Sequence, residues 1–191
     1  MRQPERTSGV RRRIRLRRAR WLAHVKLTTS LHPGIDAIDV QMMERAIRLA
    51  SEAGRRNEVP VAAVIYRGKD IIAEASNNRE ETKDPTGHAE VVAIRKAGKA
   101  LGGWRLENCS MAVTLEPCPM CAGALVNSRL KRLVYGAFDA KAGACRSLYD
   151  IPTDQRLNHR VEMIGGVLED RCAQLLKDFF RRRREERRRS A

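Results

Sequence analysis

Four residues whose types and spacing could do chemistry lie in two short motifs. They are His88 and Glu90 in "TGHAEVVAI" and Cys118 and Cys121 in "LEPCPMCAGAL". Either motif alone is weak, because a lone histidine is more often a packed core residue and a Cys-x-x-Cys pair can be redox-active. Both together, each at the head of an apolar helix-forming run, indicate one shared site.

The cysteine pair has the spacing of metal ligands at a helix start. Pro119 suits the first helical position, so both sulfurs should lie on the first turn and on one face. A helix N-terminus carries partial positive charge, which favours thiolate over thiol. Two thiolates and the imidazole of His88 form a ligand set that suits tetrahedral zinc. We therefore expect one Zn²⁺ per subunit.

The number of ligands separates a catalytic zinc site from a structural one. A structural site needs a fourth Cys or His, and neither Cys109, Cys145, Cys172 nor His159 has matching spacing. The fourth position should therefore hold water, whose pKa zinc lowers from about 15.7 to about 7. Glu90 is the natural neighbour of that water and is expected to move its proton to a substrate.

Hydrophobic periodicity predicts the elements that must position these residues. The expected order is α-β-β-α-β-α-β-loop-β-α, which indicates an α/β fold with a mixed sheet and helices on both faces. The segments are a helix in "VQMMERAIRLASEAG", strands in "VPVAAVIY" and "IIAEAS", a helix from near His88, a strand in "SMAVTLE", a helix over 119–127, strands in "RLVYGAF" and "VEMIGGVL", and a helix from near Glu169.

The charge is concentrated in two arms. The formal net charge is +15, of which +9 lies in residues 1–26, +5 in residues 181–191 and only +1 in the body between them. Such arms attract polyanions without reading sequence. The stretch "RRRIRLRRARWLAHV" has three interpretations: an RNA-touching arm, an organelle transit segment, or translation from a start codon upstream of the true one.

Length and cysteine content favour one cytoplasmic domain with appendages. The 191 residues suit one core, and no apolar stretch is long enough to span a bilayer, so we expect no membrane association. Five cysteines are an odd number and no signal peptide precedes them, which favours reduced thiols. Import into an organelle through the Arg-rich N-terminus stays an alternative to the cytoplasm.

The two motifs match the H-x-E and P-C-x-x-C signature of zinc nucleobase deaminases. Longer segments extend the match: over about residues 40–185 the chain resembles the bacterial tRNA-specific adenosine deaminases. These segments are "NNREETKDPTGHAE", "TLEPCPMCAGALVNSRLKRLVYGAFDAKAGACRSL" and "LLKDFFRRRREE". The chain departs from the family at Gly87, where alanine is common, and at Cys145-Arg146, which replace small residues.

The resemblance implies a fold, a reaction and a partner. The fold is the cytidine-deaminase-like three-layer α/β/α sandwich with a mixed five-stranded sheet. The reaction is hydrolytic deamination of the wobble adenosine to inosine in the anticodon stem-loop of arginine tRNA, with zinc-activated water, a Glu90 proton shuttle and release of ammonia. The expected assembly is a homodimer. The domains are then a disordered basic extension at 1–36, the deaminase domain at 37–180 and an Arg-rich helix end and tail at 181–191.

The resemblance also assigns residues. It implies zinc ligation by His88, Cys118 and Cys121 and proton transfer by Glu90. Substrate contacts are implied for Asn77 and the backbone N–H of Ala89 at the flipped nucleotide, Val59 and Pro60 at the pocket wall, Asp139 near the target ribose and phosphates, and Phe179, Phe180 and Arg181 on flanking RNA. For the two phenylalanines, packing in the core is an equal alternative.

Two rival functions share parts of this pattern. A deaminase of free guanine, cytosine or a nucleoside would have the same four motif residues, whereas "DAKAGA" and the basic, phenylalanine-bearing last helix favour RNA. A non-catalytic RNA-binding module with structural zinc is the other rival. The incomplete ligand set, with Glu90 beside it, argues against that module.

Overall fold

A computed structural model describes residues 34–190, and the chain from Ala37 onward forms one compact unit. The extension predicted at 1–36 therefore lies, apart from its last three residues, outside the described part. No helix in 34–190 combines the length and the apolar character that crossing a membrane requires.

The predicted order of elements is confirmed. The helices are α1 (Ala37–Arg55), a short α2 (Arg79–Thr82), α3 (Ala89–Leu101), α4 (Pro119–Asn127) and α5 (Glu169–Ser190), and a 3-10 turn covers Ile151–Thr153. The strands are β1 (Ala62–Arg67), β2 (Asp70–Ser76), β3 (Ser110–Leu115), β4 (Arg132–Ala137) and β5 (Glu162–Gly165).

Two boundaries differ from the expected ones for local reasons, and one short helix is additional. β1 starts at Ala62 because Pro60 has no N–H to donate and Val61 donates instead to the carbonyl of Val59, at 2.7 Å. β5 ends at Gly165 because the next residue turns, with a φ of 85° at Gly166. The additional helix is the short α2, which lies between β2 and α3, where the sequence predicts no helix or strand.

The sheet is mixed, with strand order β2-β1-β3-β4-β5. β1 runs antiparallel to β2 and β3, while β3, β4 and β5 are parallel. β1 is buried on both faces: Ala63 and Ile65 join the core under α3 and α4, whereas Tyr66 bonds to α1. With α5 packed on β4 and α1, this is the predicted three-layer α/β/α sandwich.

A buried carboxylate fixes α1 to the sheet. Asp39 accepts hydrogen bonds from the Tyr66 hydroxyl at 2.7 Å and from Arg132 Nη1 at 2.6 Å, and Arg132 also reaches Glu162 at 3.1 Å. Removing one partner of such a buried pair typically costs about 3–5 kcal/mol, because a charge is left without its partner. The network therefore holds α1, β1, β4 and β5 in one arrangement.

Strand directions gather the predicted site residues at one edge of the sheet. The carboxyl ends of the parallel strands β3 and β4 lie side by side, and Cys118 and Asp139 follow them. β1 is antiparallel to β3, so its amino end, just after Pro60, lies at the same edge. The carboxyl end of β2 pairs with that amino end, and Asn77 follows it.

Candidate active site

Two helix starts point into the site. His88 precedes the first residue of α3 and Cys118 precedes the first residue of α4, and both have extended backbone conformations, with ψ of 144° and 173°. Pro119 occupies the first helical position, as its fixed φ favours. Cys121 then lies on the first turn of α4. Helix N-termini carry partial positive charge, which favours anionic ligands such as thiolate.

The three predicted zinc ligands form one cluster. His88 Nδ1 lies 3.7 Å from Cys118 Sγ and 3.6 Å from Cys121 Sγ, and the three ligand atoms all lie within 4.8 Å of one another. Zinc bonds of about 2.0–2.3 Å in a tetrahedron separate such ligand atoms by about 3.5–3.8 Å. The donor set and its spacing therefore fit a zinc ion.

Without a metal, the three ligands differ in how readily they give up a proton. A hydrogen bond from Cys121 lowers the pKa of Cys118 to about 4 against the opposing effect of burial, and His88 adds to the lowering. The same hydrogen bond, together with burial, raises the pKa of Cys121. A hydrogen bond with Cys118 raises the pKa of His88. Cys118 is thus ready as a thiolate ligand, whereas metal binding would displace protons from Cys121 and His88.

Glu90 lies in the first turn of α3 and is only 4% exposed. Burial raises the pKa of its carboxyl, and the nearby His88 acts in the opposite direction. The carboxyl also interacts with the thiol of Cys121. It is therefore a desolvated acid-base group directly beside the metal-ligand cluster.

Asn77 fixes the start of the helix that carries these groups. Its side-chain Oδ1 accepts the backbone N–H of Ala89 at 2.9 Å, and the asparagine is buried. The two groups that the resemblance assigns to the flipped nucleotide therefore bond to each other here. The amide nitrogen of Asn77 makes no hydrogen bond to another residue in 34–190.

The loop before His88 explains why glycine stands at position 87. A Cβ added to Gly87 would lie 2.5 Å from Asn78 Oδ1, so that oxygen occupies the space of the alanine methyl that is common in the family. Asn78 N–H also donates to the Gly87 carbonyl at 3.0 Å. Among the described residues, Asn78 Oδ1 is a buried oxygen without a hydrogen-bond donor.

The predicted pocket-wall and ribose residues lie at the same edge of the sheet. Val59 is partly buried against the core and Pro60 is buried just before β1. Asp139 follows β4 and is partly exposed. Its Oδ1 accepts the backbone N–H groups of Lys141 at 2.9 Å and Ala142 at 3.2 Å, so the carboxylate closes its own turn.

The structure separates the two phenylalanines of α5. Phe179 is 6% exposed and packs beside Gly54, where Arg182 donates to the Gly54 carbonyl at 2.7 Å. Phe180 is 45% exposed, and the exposed Arg181 pairs with Asp178. The ring of Phe179 is thus covered in the free protein, and the RNA contact expected for it stays a prediction. Phe180 and Arg181 are accessible to a partner.

Glu116 is a buried carboxylate to which the sequence analysis assigned no role. It is 2% exposed, and its Oε1 accepts the backbone N–H groups of Cys145 at 3.1 Å, Arg146 at 2.8 Å and Ser147 at 2.8 Å. Its Oε2 accepts the Asp139 N–H at 3.0 Å and the Ser147 hydroxyl. Burial acts to raise the pKa of Glu116, but these hydrogen bonds outweigh it and the pKa is lowered.

One sequence signal could have pointed to Glu116. It is a charged residue at the end of a buried strand and two positions before Cys118, where an exposed acid is not expected. Its contacts also explain the second departure from the family pattern. Cys145 and Arg146 bind Glu116 through backbone N–H groups, which any residue except proline supplies, so larger side chains leave these bonds intact.

Comparisons with known proteins place this site among deaminases. The MafB19-like deaminase family matches residues 38–184. A tRNA-specific adenosine deaminase of Bacillus subtilis (strain 168) is 46% identical over 147 residues, which cover 77% of this chain and 91% of that protein.

Solved structures agree with this match. One structure comes from a study of A-to-I editing by tRNA:A34 deaminases at the wobble position of transfer RNA. Its sequence is 40% identical, the TM-score is 0.69, and the match covers 71% of this chain and 99% of that chain. A guanine deaminase from Bacillus subtilis is 44% identical, with a TM-score of 0.50, over 51% of this chain and 63% of that one.

Proposed function

This chain belongs to the tRNA-specific adenosine deaminases within the MafB19-like deaminase family, and from that premise we propose that it converts the wobble adenosine of an arginine tRNA to inosine. The reaction is a hydrolysis, in which water enters at C6 of adenine and ammonia leaves. The observation that carries the proposal is the metal-ligand cluster with the buried Glu90 beside it.

The cluster of His88, Cys118 and Cys121 would hold the metal, one zinc ion per subunit. A zinc ion bound there would make a water molecule acidic enough to react near neutral pH. The protein's own contribution is to hold the three ligands on two helix starts. Asn77 adds to this by bonding the first turn of α3.

Glu90 is proposed to carry the protons of the reaction. It takes one proton from the attacking water and delivers it to N1 of the adenine as the C6–O bond forms. It then transfers the proton of the new C6 hydroxyl to the exocyclic nitrogen. The C6–N bond breaks, ammonia leaves and inosine remains. A buried carboxyl suits this role because no bulk water competes for the proton.

The substrate base has to leave the anticodon stack to reach Glu90. Anticodon loops supply unpaired bases at low unstacking cost. We propose that the Asn77 amide nitrogen contacts the flipped nucleotide, that Val59 and Pro60 form the pocket wall, and that Asp139 contacts the ribose. The Ala89 N–H can join them if Asn77 releases it on binding, since the two are bonded in the free protein.

The remaining RNA contacts are proposed for the exposed end of α5. Phe180 offers an exposed ring on which a flanking base can stack, and Arg181 offers a cation beside it. The arginines that follow carry diffuse attraction for phosphates. We further propose that the enzyme acts as a homodimer in the cytoplasm.

The direct test is an anticodon stem-loop of arginine tRNA with adenosine at the wobble position, incubated with the zinc-loaded protein. Inosine at that position, read by sequencing, is the expected result. Matched stem-loops of other tRNAs that carry a wobble adenosine test the arginine preference. Equal rates on all of them would contradict that preference and leave the deaminase activity standing.

Guanine deamination is the second candidate, favoured by the likeness to the guanine deaminase from Bacillus subtilis. That likeness covers about half of this chain, whereas the likeness to the tRNA-specific adenosine deaminase covers most of it. Ammonia release from free guanine at a rate above that on the stem-loop would support the guanine deaminase instead.

A further inference from the structure

We propose that Glu116 is a positioning residue for the substrate: its carboxylate holds residues 139–147, here called the Glu116 loop, so that Asp139 is fixed beside the metal-ligand cluster. The inference rests on the substrate contact proposed for Asp139. It adds a residue that lies outside the ligand set, the proton shuttle and the pocket wall.

The Glu116 loop is wrapped around the carboxylate. Four backbone N–H groups and the Ser147 hydroxyl donate to its two oxygens. These five donors occupy all of the roughly four acceptor sites of an ionised carboxylate and are far more than a neutral amide could serve. The donors come from both ends of the loop, Asp139 at one end and Cys145 to Ser147 at the other. One side chain therefore closes the whole loop.

The middle of the loop approaches the same carboxylate. A Cβ added to Gly143 would lie 2.4 Å from Glu116 Cδ and 2.6 Å from the Asp139 carbonyl, so a larger residue does not fit there. Gly143 also donates its N–H to the Asp139 carbonyl at 2.8 Å. The glycine allows the loop backbone to lie directly on the carboxylate.

The Glu116 loop is also bonded to the residues that follow β3 and lead to the metal ligand Cys118. The carbonyl of Pro117 accepts the Ala144 N–H at 2.8 Å, and the Glu116 N–H donates to the Ala137 carbonyl at 2.8 Å. Cys118 directly follows Pro117 in the chain. Residues 116–118 therefore connect a metal ligand rigidly to the loop that carries Asp139.

Replacing Glu116 by Gln breaks this arrangement at a known atom. The Gln Oε1 still presents an acceptor to the three N–H groups of residues 145–147, although a neutral amide oxygen with two lone pairs bonds them more weakly than a carboxylate does, and the Ser147 hydroxyl can rotate to accept from the new NH2 group. The backbone N–H of Asp139 loses its acceptor altogether, because it would face another donor. The most severe change is therefore at Asp139. Ser147→Ala is the matched control, since it removes one donor at the other end and leaves Asp139 bonded.

The test compares Glu116→Gln with Ser147→Ala on the zinc-loaded enzyme and the anticodon stem-loop. For Glu116→Gln we expect KM to rise about 10-fold or more, as for the loss of one hydrogen bond to a charged group, with kcat changed less than about 3-fold. Ser147→Ala should change both by less than about 3-fold. Adding Glu116→Gln to Asp139→Ala should raise KM little further, because both act through Asp139.

A merely structural role predicts a different pattern. It would lower the amount of active enzyme, and so kcat, at unchanged KM, or it would give KM effects that multiply in the double variant. Either outcome overturns the proposal, and so does loss of zinc from Glu116→Gln, which would make it part of the metal site.

Amide hydrogen exchange gives a readout that needs no substrate. In the free zinc-loaded protein, Glu116→Gln should speed exchange of the Asp139 N–H by about 10-fold or more and change that of Ala144, bonded to Pro117, far less. Unchanged exchange at Asp139 overturns the positioning role. If exchange changes as expected but the wild-type protein does not modify the stem-loop, the proposed tRNA deaminase function is rejected. The finding that Glu116 holds the loop is then unaffected.

Discussion

Two buried glutamates flank the metal-ligand cluster, and they behave in opposite ways. Glu90 is 4% exposed and Glu116 is 2% exposed, yet the pKa of Glu90 is raised and that of Glu116 is lowered. Burial acts upward on both and is the largest single influence on each. At Glu116 the hydrogen bonds from four backbone N–H groups and a hydroxyl together outweigh it, whereas at Glu90 the opposing influences do not. Hydrogen-bond donors keep Glu116 ionised and hold it in place. Glu90 lacks such a set of donors and can exchange a proton.

The largest effect is expected from disrupting the metal-ligand cluster that lies between the two carboxyls. Cys118→Ala leaves two ligands and should empty the metal site, abolish turnover and destabilise the fold, because the cluster ties the starts of α3 and α4. Atomic absorption should find about one zinc per chain in the wild type and much less in the variant. Full zinc occupancy in Cys118→Ala would show that the ligands are assigned wrongly.

The next effect tests the proton-exchanging half of the comparison. Glu90→Ala should keep zinc and RNA binding but lower kcat by about 10²–10⁴, the usual contribution of a general acid-base group. Single-turnover rates on the stem-loop measure it, and Glu74→Gln, at a carboxylate that pairs with Arg45 outside the site, serves as the control that keeps kcat. Near wild-type turnover in Glu90→Ala would remove Glu90 from the mechanism.

Stability should show the reverse order. Glu116→Gln should lower the free energy of unfolding by about 1–3 kcal/mol, because it leaves the partly buried Asp139 N–H without its acceptor. Glu90→Gln should cost less, or stabilise, since the charge it removes is poorly solvated. Urea unfolding of the zinc-loaded forms decides between them, and a larger loss in Glu90→Gln would contradict the comparison.

The smallest effect comes from a carboxylate bonded at the surface. Glu74 accepts two hydrogen bonds from Arg45, at 2.8 and 2.5 Å, which lower its pKa. A lowered folded pKa means that the stabilisation is present above the ordinary value of 4.5 and is lost as the pH falls through the lowered one. Glu74→Gln should therefore cost less than about 1 kcal/mol at pH 7, and this cost should shrink as the pH falls below 4.5. A loss that persists in acid would mean packing, and not charge, holds the pair.

Local signals in the sequence predicted most of the fold and the reactive groups. Pro119 fixed the start of α4 at the expected residue, and the three ligands and Glu90 came together because they lie at helix starts. The start of β1 was predicted less well, because Pro60 lacks the backbone N–H that would have extended the strand pairing.

Contacts between distant segments could not be predicted in this way. Periodicity places both Phe179 and Phe180 near the apolar face of α5, and only the position of α1 decides which ring is covered. Glu116 is similar, because its donors lie in residues 139–147 and reach it only once β3 and β4 pair. The role of Gly87 depends in the same way on where the Asn78 side chain lies.

The order of the site residues along the chain has a consequence for biosynthesis. All three ligands precede β4, the Glu116 loop and α5 along the chain, so they emerge from the ribosome before these segments do. A nascent chain can therefore present all three ligands while the loop that carries Asp139 is still inside the ribosome. The carboxylate of Glu116 receives its donors only as residues 139–147 emerge, so the metal ligands are exposed before the substrate edge can close.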